Sequence, residues 1–211
     1  MSFFQKMKQI LHKVLSDLKN GKPIILLDQK REKEADLVIP AQYADEKNLI
    51  FLLKYTSGMV CISMLEERLN KLGLKPLIDN PTKKGSCSFY TSVDPKRENA
   101  TGISARDKAE VIYSLIHDEV PVLDTRSSIA IPGHTFPLKA RSGGVLERAG
   151  HTEGSLDLMI LADLYPAAVI SELMDRKYGK PTNLDDVKAF ANEHNLAMLT
   201  IEELVEHRKK Y

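Results

Sequence analysis

Arg148, His151, Thr152 and Glu153 fall within six positions of the stretch 142–157, which opens with Gly143 and Gly144 and runs into an apolar segment at 156–162. Paired glycines let a backbone come close to another group or take positive φ. The apolar segment reads as a helix with Thr152 or Ser155 near its start. A helix start carries free N–H groups and a partial positive charge, so an arginine just ahead of it makes an anion site. A histidine there can hold a metal or move a proton. The group suits a small phosphorylated substrate. It also suits an ordinary strand-to-helix loop whose polar side chains cap the helix.

A second run is Arg31-Glu32-Lys33-Glu34-Ala35-Asp36. In an extended chain alternate side chains share a face, which would group Glu32, Glu34 and Asp36 and turn Arg31 and Lys33 the other way. Crowded carboxylates repel, so either a cation joins them or one keeps a proton. The first outcome is a divalent-metal site and the second a carboxyl group poised as acid or base. A solvated charged turn is the plainer alternative. His134, in Pro132-Gly133-His134-Thr135-Phe136-Pro137, is expected in a rigid turn just before a strand, as a proton carrier or a structural hydrogen-bonder. Glu172 ends the apolar run Ala168-Val169-Ile170-Ser171, where a charge needs a partner or a task. Cys61 lies in an apolar strand and reads as a buried, inert thiol.

The elements that must position these groups follow from periodicity. Met7, Ile10, Leu11, Val14, Leu15 and Leu18 have helical spacing, closed by Asn20-Gly21. Strands are expected at 24–27, 37–39, 59–64, 89–93, 135–139, 168–173 and 197–200. Helices are expected after Asp45, over 66–72, from Ser104 (a capping box with Asp107) to about 117, after the glycine turn, from Thr182-Asn183 to 194, and after Thr200. Residues 75–101, rich in Pro, Gly and charge, read as a long functional loop around one strand, a candidate lid. Helices and strands interleave without strict alternation, which predicts one α+β domain: a mixed, twisted sheet covered by helices on both faces in three layers.

Bulk composition sets limits on partners. The chain has 211 residues, 43% hydrophobic and 28% charged, with 30 Lys plus Arg against 29 Asp plus Glu. That near balance gives no general pull toward nucleic acid or anionic membrane, so anion recognition must be local. Two cysteines, Cys61 and Cys87, provide no disulfide framework. The N-terminal residues lack the apolar core of a signal peptide, and no apolar run approaches bilayer length. The expectation is a cytoplasmic protein with no nucleic-acid or membrane partner.

Taken together, these runs resemble 3,4-dihydroxy-2-butanone 4-phosphate synthase. The resemblance is carried by Asp28-Gln29-Lys30-Arg31-Glu32-Lys33-Glu34-Ala35-Asp36-Leu37-Val38, Thr101-Gly102-Ile103-Ser104-Ala105 and Pro132-Gly133-His134-Thr135-Phe136-Pro137-Leu138. It continues through Gly143-Gly144-Val145-Leu146-Glu147-Arg148-Ala149-Gly150-His151-Thr152-Glu153 and Leu164-Tyr165-Pro166-Ala167-Ala168-Val169-Ile170-Ser171-Glu172-Leu173. The order is the family's, and the motifs span nearly all of 1–211 as a single domain with no GTP cyclohydrolase II half.

What the resemblance implies is a lyase of riboflavin biosynthesis. It would convert D-ribulose 5-phosphate to L-3,4-dihydroxy-2-butanone 4-phosphate and formate by enolisation, dehydration and skeletal rearrangement. It implies Glu32 and His151 as ligands of Mg²⁺ (or Mn²⁺), and Arg148 and Thr152 as the phosphate grip. Arg31, Glu32, Asp36, Ala149, Gly150, His151 and Glu172 would contact substrate. His134 and Glu172 would be catalytic, with Glu34, Cys61 and Thr101 as possible additions. It implies a homodimer with the active site at the subunit interface. The chain departs from the family's usual pattern at Lys33 (usually Asn), Ala35 (usually Gly), Ser171 (often Cys), 89–94, Ala100 and 175–180. Those departures keep in view a non-catalytic or altered-substrate sugar-phosphate-binding paralogue. A nucleotide-binding RNA-modification protein of related fold would want a basic surface that the net charge does not supply.

Overall fold

The computed structural model describes residues 3–79, 85–117, 128–175 and 177–210. Helix α1 (Phe3–Lys19) leads into β1 (Ile24–Leu27) and β2 (Ala35–Pro40), followed by a single 3-10 turn at Ala41–Tyr43, α2 (Glu46–Tyr55), β3 (Val60–Met64) and α3 (Glu66–Lys71). Short strands β4 (Ser88–Phe89) and β5 (Val93–Pro95) precede α4 (Ala105–Ile116) and the long β6 (Ile129–Lys139). After a 3-10 turn at Gly144–Leu146 come α5 (His151–Leu161), β7 (Ala167–Glu172), β8 (Met174–Asp175) and β9 (Lys180–Pro181). The chain then forms α6 (Leu184–Glu193), β10 (Met198–Thr200) and α7 (Ile201–Arg208).

Eight strands form one mixed sheet in the order β10-β1-β2-β7-β3-β6-β4, with β5 also on β6. The β1–β10 and β3–β6 pairs are parallel, and the others in this sheet antiparallel. β1 is apolar at every position because both faces are covered. Ile24 and Leu26 pack with α1, α5 and α7, while Ile25 and Leu27 pack with α6. Beyond β2, the same opposite face packs on α2, α3 and α4 around Leu49, Leu69 and Ile112. The expected three-layer α+β domain is therefore present. Among the described residues no helix is long and apolar enough to cross a membrane.

Several helix starts are capped as the sequence predicts. Asp45, Ser104, Asn183 and Thr200 each accept a backbone N–H, and Thr200 with Glu203 completes a capping box. At Ser104 the box is only half made. The Asp107 carboxylate turns instead to the Thr101 and Gly102 N–H groups and to Arg97.

Three expectations change. The strand expected at 89–93 is two short strands, β4 and β5, separated by buried Tyr90, which bridges Pro76. The strand expected from Thr135 begins at Ile129. Its partner β5 slips register there, pairing Val93 with Thr135 but Asp94 with Ala130, so residues 131–134 bulge out. His134 is thus within a bulged strand, not in a turn ahead of one. Finally, 28–34 is a tight connection and not an extended run. Asp28 accepts the N–H groups of Lys30 and Arg31, the Asp28 N–H donates to the Glu34 carbonyl, and Lys33 takes φ +57°. Of the proposed lid, residues 80–84 lie outside the described residues.

Candidate active site

The tight 28–34 turn delivers Glu32 to the face of the sheet that packs on α5. Directly paired residues of antiparallel strands share a face. Asp36 pairs with Leu26 on one side and Glu172 on the other, and Leu26 lies against Gly154 of α5. Cys61, paired with Ile170, joins them. Glu32, Asp36, Glu172, Arg148, His151 and Thr152 line one pocket under the start of α5, with Cys61 and Cys87 in its wall.

Helix α5 begins at His151 with Gly150 as an extended N-cap that offers no capping side chain. A Cβ at Gly150 would overlap the Arg148 guanidinium, so glycine is what lets the arginine fold back over the helix start. Arg148 Nη1 donates to Glu153 Oε2 at 2.6 Å and its Nε to the Gly85 carbonyl at 2.8 Å, while Nη2 lies 3.8 Å from Glu32. Glu153 is fully buried, and its other oxygen accepts the Arg141 N–H. Arg31 donates to the Ala149 carbonyl at 3.1 Å and to the same Gly85 carbonyl at 3.2 Å. A single carbonyl of the 75–101 loop therefore ties two arginines together, Arg148 lining the pocket and Arg31 outside it.

His151 is 6% exposed, with Nδ1 3.3 Å from Glu32 Oε2. Burial alone would lower its pKa, but the Asp36 charge, the bond to Glu32 and the Asp28 charge outweigh that and raise it to about 9. The same bond holds the Glu32 carboxyl below its ordinary range, helped by Arg148 and Arg31. Burial raises Asp36 to about 6, with the Glu172 and Glu32 charges adding to it against the opposing pull of His151. Glu34 rises to about 7 through desolvation and a hydrogen bond shared with Glu172. The crowding expected of these carboxylates is thus real, though a turn and a neighbouring strand produce it. Both ways of relieving it are represented: a cationic partner at Glu32 and a pKa raised to about 7 at Glu34. Cys61 is pushed well up by burial, as an inert thiol should be.

Arg31, Glu34, Ala149 and Gly150 flank this pocket without lining it, and two further sequence candidates lie elsewhere. Thr101 bonds Asp107 at the α4 start. His134 does not line the pocket of its own chain. Its Nδ1 lies 2.6 Å from Asp94. Asp94, Gly85 and Cys87 were not singled out by spacing, and only tertiary folding brings Asp94 to His134 and Gly85 to Arg148.

The Glu32–His151 pair admits a divalent ion. Adjacent ligands of an octahedral ion with bonds of about 2.1 Å stand roughly 3 Å apart. Oε2 and Nδ1 at 3.3 Å match that spacing. Among the described residues no cluster of three or more such ligands exists, so water and substrate oxygens would complete the shell.

A mixed-sheet α+β domain carrying neighbouring carboxylates, a Glu–His pair and an arginine folded over a helix start has groups that can exchange protons beside groups that can hold a small anion. The model of one family, 3,4-dihydroxy-2-butanone 4-phosphate synthase, matches residues 12–207. A 3,4-dihydroxy-2-butanone 4-phosphate synthase of Shewanella woodyi is 38% identical over 196 residues, covering 92% of this chain and 88% of that protein. The riboflavin biosynthesis protein RibBA of Endomicrobium trichonymphae is 40% identical over 197 residues, 93% of this chain and 48% of that one. A crystal structure of 3,4-dihydroxy-2-butanone 4-phosphate synthase in complex with two magnesium ions superposes with a TM-score of 0.85 at 32% identity, covering 95% of this chain and 96% of that one. The chain belongs to the 3,4-dihydroxy-2-butanone 4-phosphate synthase family. It spans about half the length of RibBA-type relatives.

Proposed function

We propose that this chain is a lyase of riboflavin biosynthesis that converts D-ribulose 5-phosphate to L-3,4-dihydroxy-2-butanone 4-phosphate and formate. The observation that carries the reading is the Glu32–His151 pair set beside Arg148 at the start of α5, with Asp36 in the same pocket and Glu34, next to Glu172, both holding raised pKa values. Arg148, Thr152 and Arg31 would grip the phosphate. Glu34, poised at about 7 beside Glu172, can give or take a proton near neutral pH, which enolisation and dehydration both need. Glu32 and His151 would hold Mg²⁺ or Mn²⁺, which when bound supplies a Lewis acid for the sugar's carbonyl and hydroxyl oxygens.

His134 belongs to the same reading as a proton carrier supplied by a second copy of the chain, since it lies outside the pocket of its own. A homodimer with shared sites follows from that. The two free thiols suit a reducing, cytoplasmic setting.

The test is formate release from ribulose 5-phosphate with added Mg²⁺. Release that stops with chelator, and in Glu32→Gln and His151→Ala proteins of unchanged fold, is expected. Tight binding of the sugar phosphate without formate would overturn the lyase reading in favour of a binding paralogue.

A further inference from the structure

Ser57 stands between α2 and β3, exposed and in the wall of the active-site pocket. Its N–H donates to the Glu172 carbonyl at 2.8 Å, and Thr56 before it bridges Leu173. The segment is thus stapled to the end of β7 that carries Glu172. Arg148 enters the pocket from another element, with Glu32 3.8 Å from its Nη2.

A chain of hydroxyl groups runs beneath this staple, and its direction follows from its far end. Thr56 Oγ1 donates to the Leu52 carbonyl at 2.8 Å, a partner that can only accept. With that proton committed, Thr56 Oγ1 accepts from Ser171 Oγ at 2.9 Å. Ser171 has then committed its own proton, so toward Ser57 Oγ, 3.4 Å away, it can only accept. Thr56 and Ser171 are each 3% exposed, which keeps water from reordering the chain. The proton left at the open end belongs to Ser57. Its contact with Ser171 lies past the roughly 2.5–3.0 Å of an ordinary O–H···O bond, so it is poorly used inside the protein. The Ser57 oxygen accepts the Met59 N–H at 3.2 Å, which occupies a lone pair and leaves the hydrogen to offer. Asp36 and Glu172 line the same pocket, and as carboxylates they can only accept. Oxygens of a sugar chain lying beside them need a donor from elsewhere, and Ser57 has one.

We propose that Ser57 is a specificity-determining residue for the sugar: its hydroxyl donates a hydrogen bond to an oxygen of the pentose carbon chain. Thr56 and Ser171 are positioning residues that hold the hydroxyl chain in the direction freeing this proton. The proposal rests on reading the pocket as a pentose-phosphate site. Ser171 is a position where the chain departs from its family's frequent cysteine, and a thiol is a weaker donor that would set the direction less firmly. The phosphate group, gripped at Arg148 and the start of α5, gains nothing from Ser57.

Calorimetric titration with chelator present reads the contact apart from turnover. Ser57→Ala should bind ribulose 5-phosphate about five- to tenfold more weakly than the parent, the size of one neutral hydrogen bond, and inorganic phosphate within about twofold of it. Ser57→Thr, which keeps the hydroxyl, should recover most of the loss. Ser171→Ala removes an internal partner but leaves Ser57 its proton, so it should weaken the sugar phosphate less than Ser57→Ala does. Equal affinity of parent and Ser57→Ala for ribulose 5-phosphate would overturn the proposal and leave the pentose-phosphate reading standing. Equal losses for ribulose 5-phosphate and inorganic phosphate, or for Ser57→Ala and Ser171→Ala, would also overturn it, because a merely structural staple gives that result. Should Ser57→Ala fail to fold, Ser57→Cys carries the same expectation, since it keeps the shape and weakens the donor. A parent protein that binds inorganic phosphate but not ribulose 5-phosphate would defeat the pentose-phosphate reading and this proposal together.

Discussion

Replacing Glu153 by Gln removes one charge from an ion pair sealed beneath the start of α5. The side chains of Glu153 and Arg148 are 1% and 9% exposed and meet at 2.6 Å. Gln keeps the volume and the acceptor for the Arg141 N–H, but sets an amide against the guanidinium. Breaking a buried pair by removing one partner costs about 3–5 kcal/mol, because the other charge is left uncompensated. Arg148 retains the Gly85 carbonyl at 2.8 Å and Glu32 at 3.8 Å, which places the cost at the lower end, about 3 kcal/mol. At about 2.1 cal/mol/K of unfolding entropy per residue, a chain of 211 residues loses about 7 °C of Tm for that cost. Thermal and urea unfolding of the two proteins measure it. Substituting both partners, Glu153→Gln with Arg148→Met, should recover part of the loss, since no charge is then left buried. A Glu153→Gln protein that melts within about 2 °C of the parent would refute the claim that this pair holds Arg148 in place.

Arg148→Ala should raise KM for ribulose 5-phosphate more than tenfold with a smaller change in kcat, because an arginine at a helix start holds the phosphate before and during reaction alike. A loss confined to kcat would place the phosphate elsewhere. Metal affinity should climb with pH, about tenfold per unit between roughly 7 and 9, because an ion must displace the proton that His151 holds up to about 9. Calorimetric Mn²⁺ titrations in buffers of different ionisation enthalpy would count the released proton, and a flat profile would mean that His151 is not a ligand. Lys33→Asn should stabilise the protein by about 0.5–1 kcal/mol, because Lys33 sits at φ +57° where asparagine is at less cost. Denaturant midpoints would show the gain, and a loss would mean that the exposed Lys33 side chain makes a stabilising contact.

The contrast between these residues shows what a sequence can expose. Arg148, His151, Thr152 and Glu153 are legible because a helix start concentrates them in one short segment. Helices, caps and the both-faces-covered sheet are legible for the same local reason: apolar period, Asp, Ser, Asn or Thr at the start, and unbroken apolar strands. The grouping of Glu32, Glu34 and Asp36 was foreseen through a wrong geometry. A turn with positive φ at Lys33 and pairing of Asp36 with Glu172 achieve what simple alternation was expected to do. Asp94 was invisible because its contact with His134 spans 40 positions and depends on a register slip that no local pattern announces. The tie between Gly85 and Arg148 is hidden likewise, since a backbone carbonyl leaves no mark on residue type.

The central claim is that the pocket under α5 turns a five-carbon sugar phosphate into a four-carbon phosphate and formate. ¹³C NMR of the protein with uniformly labelled ribulose 5-phosphate and Mg²⁺ tests it most directly. The account predicts formate and one four-carbon phosphate product appearing in equal amounts, and neither with Glu32→Gln. Labelled substrate that persists unchanged, or turns over without formate, would contradict it.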